Sequence, residues 1–510
     1  MASKVTLNTV VVAAGAASFA WARHAELPVV STVAKTCAAV IPLYAIIWCS
    51  WIYPFYISDL RHVPTVTGFP LWGQFFTIIT EECGVPQRRW HATHGPMIRY
   101  FFPFGSERLS VADDDALKHM TVRNPYNYPK PLRAKLWMVR ILGEGVLLAE
   151  GAEHIHQRKS LAPGFSIQSI RALTPVFWEK SLLLAKCWRD EMTAEGVTSK
   201  SIEVLEWLNR TTLDMIGKAG FGYEINSLEY PETPIREAYR LVFAFDIASR
   251  VMHGLQAFIP ASKAIPSKMN HDVQTSRNII LDKATEIVTE KLEQAENNTG
   301  GKDILSLIAR DNKKLKDMGE AGLSFETMRD QIMTFLGAGH DTTATGVAWT
   351  IHLLSTHPVV QSRLREEIKD HMPFLFDKQT RFDPEQIINA DADKLTYLDN
   401  VPAGTTLYVL ANTINRMPEY WGKTANEFDP DRWDNLPKSC TPNAYMTFLQ
   451  GPRGCIGRKF AETEMKILLC CVLSMYEFKR DVNVEDPESL KMWRLVLRPR
   501  DGVSVKVTAI

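Results

Sequence analysis

The chain is poor in cysteine, has no surplus of charge and contains no internal repeat. Eight cysteines in 510 residues are too few for a disulfide-built scaffold. None of them forms a Cys-x-x-Cys pair, so neither a multi-thiolate zinc site nor a dithiol redox motif has a basis in the sequence. Lys plus Arg and Asp plus Glu each total 58, a formal net charge of zero. A nucleic-acid partner, which calls for excess cations to neutralise phosphates, is therefore not expected. Low-complexity tracts are missing, as is any glycine-rich dinucleotide or flavin fingerprint. What is present is a globular composition, 45% hydrophobic and 10% aromatic, which excludes a disordered chain. Length alone suggests about three domains.

Charge is also missing locally. Val5 to Ala22 carries no charged residue, and Thr36 to Ile57 is a run of 22 residues without Asp, Glu, Lys, Arg or His. A membrane-crossing helix needs about 20 mostly apolar residues, and Trp48, Trp51, Tyr53 and Tyr56 suit a membrane–water interface. Arg61 and His62 follow, which fits a cytosolic flank. Residues 1–60 are expected to anchor the chain in lipid. Arg23, Glu26 and Lys35 lie between the two segments and leave one span or two open; a cleaved signal peptide and a buried core helix are the competing readings. Two prolines and a glycine between Val63 and Pro70 mark a stiff connector. Beyond it the pattern is mainly helical, with runs at Ile167–Trp188, Ile202–Lys218, Thr275–Ala295, Phe325–Thr356 and Phe460–Tyr476. Short β-prone runs occur at Met97–Phe102, Thr406–Leu410 and Val503–Val507.

Seven cysteines read as small buried or neutral residues. Cys455 differs. It lies in Phe448-Leu449-Gln450-Gly451-Pro452-Arg453-Gly454-Cys455-Ile456-Gly457-Arg458, where glycines and a proline allow sharp turns and close approach of a flat ligand. A helical run starts directly afterwards. The helix N-terminus, with Arg453, Arg458 and Lys459, should favour a thiolate, and such a thiolate suits the single axial position on a haem iron.

Phe325–Thr356 reads as one helix of 32 residues, about 48 Å long, N-capped by Ser324 and stopped by Pro358. Its middle, Gly337-Ala338-Gly339-His340-Asp341-Thr342-Thr343, is poorly suited to a helix. A Thr hydroxyl there can capture a carbonyl one turn back. An acid beside an alcohol can also relay protons, as oxygen-splitting chemistry requires. A kinked core helix with a satisfied Asp is the plain alternative.

The cysteine loop resembles the ligand loop of the cytochrome P-450 haem-thiolate monooxygenases, with Phe448, Gly451, Arg453, Cys455 and Gly457 all matching. The Gly337–Thr343 stretch resembles that family's oxygen-activation helix, with Asp341 as acid and Thr342 as alcohol. Phe428–Trp433 is similar to the meander before the loop, and Leu497-Arg498-Pro499 to a C-terminal hairpin lining the substrate pocket. The resemblance runs from about Val63 to the C-terminus. It implies a mainly α fold with small β-sheets, residues 61–510 forming one haem domain behind the anchor, and haem b with Cys455 as iron ligand. Phe448, Arg453 and Gly457 would surround the cofactor, and His154 and Arg158, at i and i+4, would meet its carboxylates. The family more often has Trp at the position of His154. The implied partners are dioxygen, a hydrophobic small molecule, NADPH-cytochrome P-450 reductase and the lipid of the endoplasmic reticulum, with the catalytic part facing the cytosol. Tyr126, Tyr128, Leu132, Leu136, Trp137 and Ile141 are expected in the pocket lid. The overall pattern is most similar to filamentous-fungal members acting on terpenoid or polyketide intermediates.

One part of the pattern is missing. The family places a Glu-x-x-Arg helix between the long helix and the meander, where it holds the meander arginine, here Arg432. In this chain Tyr397-Leu398-Asp399-Asn400 runs directly into Val401-Pro402-Ala403-Gly404-Thr405, which already resembles the strand turn beyond that helix. The expectation is a skipped or misjoined segment at Asn400–Val401 and an Arg432 short of partners. Three functions follow: a monooxygenase, a family member doing isomerase or dehydratase chemistry, or a pseudoenzyme that has lost haem.

Overall fold

The structure is a computed structural model that describes residues 7–82, 84–242, 256, 267–377, 410–487, 491–493, 497–499 and 501–510. Two compact units emerge, Met1–Lys118 with Val409–Met417, and His119–Tyr408 with Pro418–Ile510.

The first unit opens with helices Leu7–His24 and Val29–Ile47, and the second of these continues as a wider π-type coil over Trp48–Ile57. Pro42 and Pro54 sit inside this run; each removes a backbone donor, which loosens the local ladder. Val29–Ile57 has a mean hydropathy of 1.7 over its most apolar window and is the one helix among the described residues long and apolar enough to cross a membrane. A three-stranded sheet follows, with Thr65–Val66 parallel to Met97–Phe102 and Ser106–Val111 antiparallel to it. Buried Arg99 donates to Thr65 Oγ1 at 2.9 Å, Pro54 O at 3.0 Å and Glu107 Oε1 at 2.9 Å. Glu107 also accepts from Ser58 Oγ at 2.5 Å. A guanidinium can be buried here because its donors are taken up, and the result ties the end of the apolar helix to the sheet.

The second unit is mainly helical. Its principal helices are Gly151–Leu161, Ile167–Ala194, Val204–Met215, Lys268–Glu296, Phe325–Thr356 and Arg458–Met475. Phe325–Thr356 has the expected bounds, and Ser324 Oγ accepts from Thr327 N at 3.1 Å as its N-cap. Nearly every residue from Gln331 to Ser355 is buried, because Val204–Met215, Lys268–Glu296 and Arg458–Met475 all pack on this helix. Trp178, Trp188, Phe177 and Tyr476 fill the core around it.

Two small sheets complete the unit. Ser199–Glu203 and Tyr476–Arg480 flank Ser504–Ala509, with Ile202 opposite Val505 and Phe478 opposite Val507. Lys491–Trp493 pairs with Leu497–Pro499, placing Met492 opposite Arg498. The mainly α class with small sheets is as expected. The run read as one helix over Ile202–Lys218 divides into a strand, the helix Val204–Met215 and a π-turn at Ile216–Gly220. Pairing with the C-terminal strand captures Ile202 before the helix can include it. Of the β-prone run at Thr406–Leu410, only Leu410 is described, and it opens a short helix.

Candidate functional site

The cysteine loop is closed by its own backbone. Cys455 N donates to Phe448 O at 2.8 Å and Gly454 N to Gly451 O at 2.9 Å. Gly451 has φ +70, and a Cβ there would stand 2.0 Å from Thr121 O, so only glycine lets the two backbones approach. The Phe448 ring is buried under the Arg458 guanidinium, 5.5 Å from its centroid. A Cβ at Gly457 would lie 3.9 Å from Cys455 Sγ and 4.0 Å from the Phe165 ring. Phe165 in turn stacks edge-on against Phe335 of the long helix at 5.2 Å. Cysteine loop and long helix thus converge through one phenylalanine.

Cys455 is exposed, yet protein crowds round its sulfur. That crowding pushes the thiol up, against the backbone N–H of Gly457 and the charges of Arg158 and Arg458. The expectation that the surrounding cations favour a thiolate is corrected here. Arg458 and Lys459 are drawn to Glu462, at 2.6 and 3.2 Å, and Arg453 turns to Glu150. In the polypeptide alone, desolvation outweighs them.

The loop's other wall is cationic. Glu150, the N-cap residue of Gly151–Leu161, receives a forked pair from Arg453, with Nη1–Oε1 at 3.0 Å and a second contact from Nη2 to Oε2. Lys130 Nζ reaches the same carboxylate at 3.0 Å. Burial alone would raise the Glu150 carboxyl, but Arg453 and Lys130 outweigh it and hold it at about 2. The Arg453 guanidinium lies 5.0 Å over the Tyr126 ring, and Tyr126 Oη meets His154 Nδ1 at 3.0 Å. Burial first, then Lys130, Arg453 and Arg158, depress His154 to about 4, so it is a neutral ring at physiological pH. Arg158 Nη1 donates to Gly454 O at 2.6 Å. His154 and Arg158 therefore do meet the cysteine loop from one helix. Lys130, Arg158 and Arg453 all act on His154 with one acid, Glu150, among them, and Arg453 Nε is buried without a partner among the described residues.

On the long helix, Thr342 Oγ1 donates to Ala338 O at 2.8 Å, the one-turn-back bond expected. Thr212 Oγ1, from the packed neighbour, donates to His340 O at 2.9 Å. Gly339 admits Ile216, whose Cγ1 would stand 3.2 Å from a Cβ there. Asp341 is buried and accepts from Arg498 Nη1 at 3.1 Å. Two acids escaped sequence reasoning. Glu150 had a signal, since it stands one turn before a basic patch. Glu464 is fully buried in Arg458–Met475, and neither oxygen has a hydrogen-bond partner among the described residues. Its carboxyl is raised well above the usual range by burial, with nearby Thr343 pulling the other way. Its signal was an acid on an otherwise apolar helix stripe.

Arg432 is half-buried. Its Nη2 finds carbonyls of its own loop, Thr424 O and Glu427 O, while Nε is buried without a partner among the described residues. The junction at Asn400–Val401 lies outside the described residues.

The family profile described as Cytochrome P450 matches residues 63–401 and 399–507. The chain belongs to the cytochrome P450 family. Among curated proteins it is 30% identical to "Cytochrome P450 monooxygenase sphH" of Aspergillus fumigatus, over 92% of each chain. It is 29% identical to "Cytochrome P450 monooxygenase ALT8" of Alternaria alternata, over 91% of this chain and 92% of that one. Against "Cytochrome P450 monooxygenase 205" of Postia placenta it is 31% identical, over 87% and 90%. These are fungal cytochrome P450 monooxygenases, and membership makes this chain a monooxygenase of the haem-thiolate class. The profile match falls into two pieces that meet at residues 399–401, the junction singled out in the sequence. The alignment with the Aspergillus protein runs over 516 positions although only 92% of this chain takes part, so gaps open within it.

The residues present fit a haem. A reachable thiol stands on a backbone-closed loop, glycine at 457 leaves its flank open, and beside it Lys130 and Arg453 share the Glu150 carboxylate while Arg158 has only the Gly454 carbonyl. Such a cation surplus suits the carboxylates of the macrocycle.

Proposed function

We propose that this P450 inserts one oxygen atom from dioxygen into a hydrophobic small molecule, with electrons from NADPH delivered by a membrane-bound reductase. Residues 1–60 would anchor it in the endoplasmic reticulum and residues 61–510 would carry haem b on Cys455, facing the cytosol. The observation that carries this reading is the convergence, through Phe165, of the Cys455 loop with a long helix bearing Asp341 and Thr342.

When bound, haem supplies dioxygen activation, and thiolate donation favours O–O cleavage. The chain's own residues do the rest. Cys455 Sγ would hold the group. Arg158, Arg453 and Lys130 would bind its carboxylates, Glu150 orients Arg453, and neutral His154 would offer a hydrogen bond rather than a charge. Thr342 Oγ1, fixed on Ala338 O, presents its lone pairs to a proton carried by Asp341. Fungal relatives and an apolar anchor support a terpenoid or polyketide intermediate of secondary metabolism as substrate.

The carbon-monoxide difference spectrum of the reduced, full-length protein tests the cofactor assignment. A thiolate band is expected; its absence would favour the haem-free reading. Product formation from NADPH and dioxygen then separates oxygen insertion from isomerase or dehydratase chemistry. Metabolite profiling after gene deletion tests the substrate class: a terpenoid or polyketide precursor should accumulate.

We also infer that the Asn400–Val401 junction is a splice or gene-assembly discontinuity in a longer enzyme. The two-piece match favours it, as does the Arg432 Nε, which has no partner among the described residues. Transcript sequencing across the junction tests it: inserted codons are expected, and a message encoding only this junction defeats the idea.

A further inference from the structure

The C-terminal hairpin is fastened to the long helix at a run of charged contacts. Arg498 Nη1 donates to Asp341 Oδ1 at 3.1 Å. Lys491 Nζ lies 5.5 Å from the centroid of the Trp349 ring. Just before the hairpin, Asp486 Oδ1 stands 3.6 Å from His352 Nε2. Positions 341, 349 and 352 fall within about 80° of one another around a helix of 3.6 residues per turn, and so share a face.

The contact at Asp341 is half-made. A guanidinium and a carboxylate can join by two parallel N–H···O bonds, yet here one is formed. Asp341 Oδ2 and Arg498 Nε are each buried and without a partner among the described residues. The Asp341 side chain is 5% exposed, so a lone carboxylate there would be costly and Arg498 is its compensating charge. One bond anchors the carboxylate by Oδ1 and leaves Oδ2 unfixed among the described residues. The second oxygen stays free to take and pass a proton.

We propose that Arg498 is a positioning residue for Asp341: the C-terminal hairpin, through this single ion-pair bond, sets the orientation of the acid that passes protons to Thr342. This rests on the relay reading given above. It makes the hairpin, the element expected to border the substrate, the part of the fold that couples pocket occupancy to proton delivery.

The test uses full-length protein with R498Q, R498K and D341N variants and the R498Q/D341N pair. Thermal unfolding is read first, because it needs no turnover. R498Q is expected to lower the midpoint and the double variant to recover much of the loss, since D341N removes the stranded charge. Product formed per NADPH is read next, with the solvent hydrogen-isotope effect. R498Q is expected to lower product formed per NADPH about tenfold or more and to enlarge the isotope effect, while R498K recovers most of both. A merely structural role would change stability and leave the isotope effect alone, and that result overturns the proposal. So does an R498Q enzyme with wild-type coupling. The reduced carbon-monoxide band separates the two readings: if wild type lacks it, the haem-thiolate assignment falls and the proposal with it; if wild type and R498Q both show it with equal coupling, only the proposal falls.

Discussion

Arg453 and Glu150, 303 residues apart in sequence, form a forked ion pair with Nη1 and Oε1 3.0 Å apart. The pair closes the cysteine loop against the N-terminus of Gly151–Leu161. It shows how a residue expected to bind a cofactor is held in place by a carboxylate of the chain itself.

Replacing Glu150 by Gln should change acid stability. The folded carboxyl sits at about 2 against an ordinary 4.5. A depressed carboxyl contributes stability that is fully present above the unfolded value and lost as pH falls through the folded one. The window is therefore roughly pH 4.5 down to 2, and with solvent screening at this partly exposed carboxylate the contribution is about 1 kcal/mol. Urea unfolding at a series of pH values should show wild type losing more stability than E150Q across that window.

Glu464 should behave in the opposite sense. Burial raises its carboxyl well above 4.5. A raised carboxyl gives most stability below the unfolded value, and that stability is lost as pH rises from 4.5 toward the folded value. E464Q keeps the shape and removes the titration. It should match wild type near pH 4 and be the more stable protein at pH 7.5, by about 1 kcal/mol or more, as judged by chemical denaturation at the two pH values.

Gly451→Ala should disturb the cysteine loop. The added carbon meets Thr121 O at 2.0 Å with φ at +70, and such crowding and backbone strain cost about 1–3 kcal/mol. A lower unfolding midpoint and a weaker reduced carbon-monoxide band are expected together.

Cys455→Ser should leave the fold and remove the thiolate signature. Few described contacts depend on the sulfur, so far-ultraviolet circular dichroism should be unchanged. The reduced carbon-monoxide spectrum should lose its thiolate band, and a band retained by C455S would reassign the ligand.

Much of the fold was legible because it depends on local pattern. The bounds of Phe325–Thr356 follow from a cap, a stop and an unbroken apolar run, and the loop from Phe448 to Gly457 follows from glycines at fixed spacing. Thr342 bonds one turn back as its chemistry dictates. What escaped depends on approach between distant segments. Ile202 joins a strand because Val505 arrives beside it. The turning of Arg453 and Lys459 away from Cys455 depends on where Glu150 and Glu462 lie. Arg498 was read only as a pocket residue because nothing local announces that Asp341 faces it, and Glu464 passed unnoticed because an acid on a helix is ordinarily solvated.

The junction of the apolar helix and the first sheet has a consequence in time. Pro54 O waits for Arg99, 45 residues further along the chain. At a synthesis rate of about 5–20 residues per second, that is a delay of roughly 2–9 s. Throughout it, the final turn of the helix exists without the guanidinium that later satisfies it. The segment must therefore find its surroundings before the sheet is made, and the arrival of Arg99 and Glu107 closes a choice already taken.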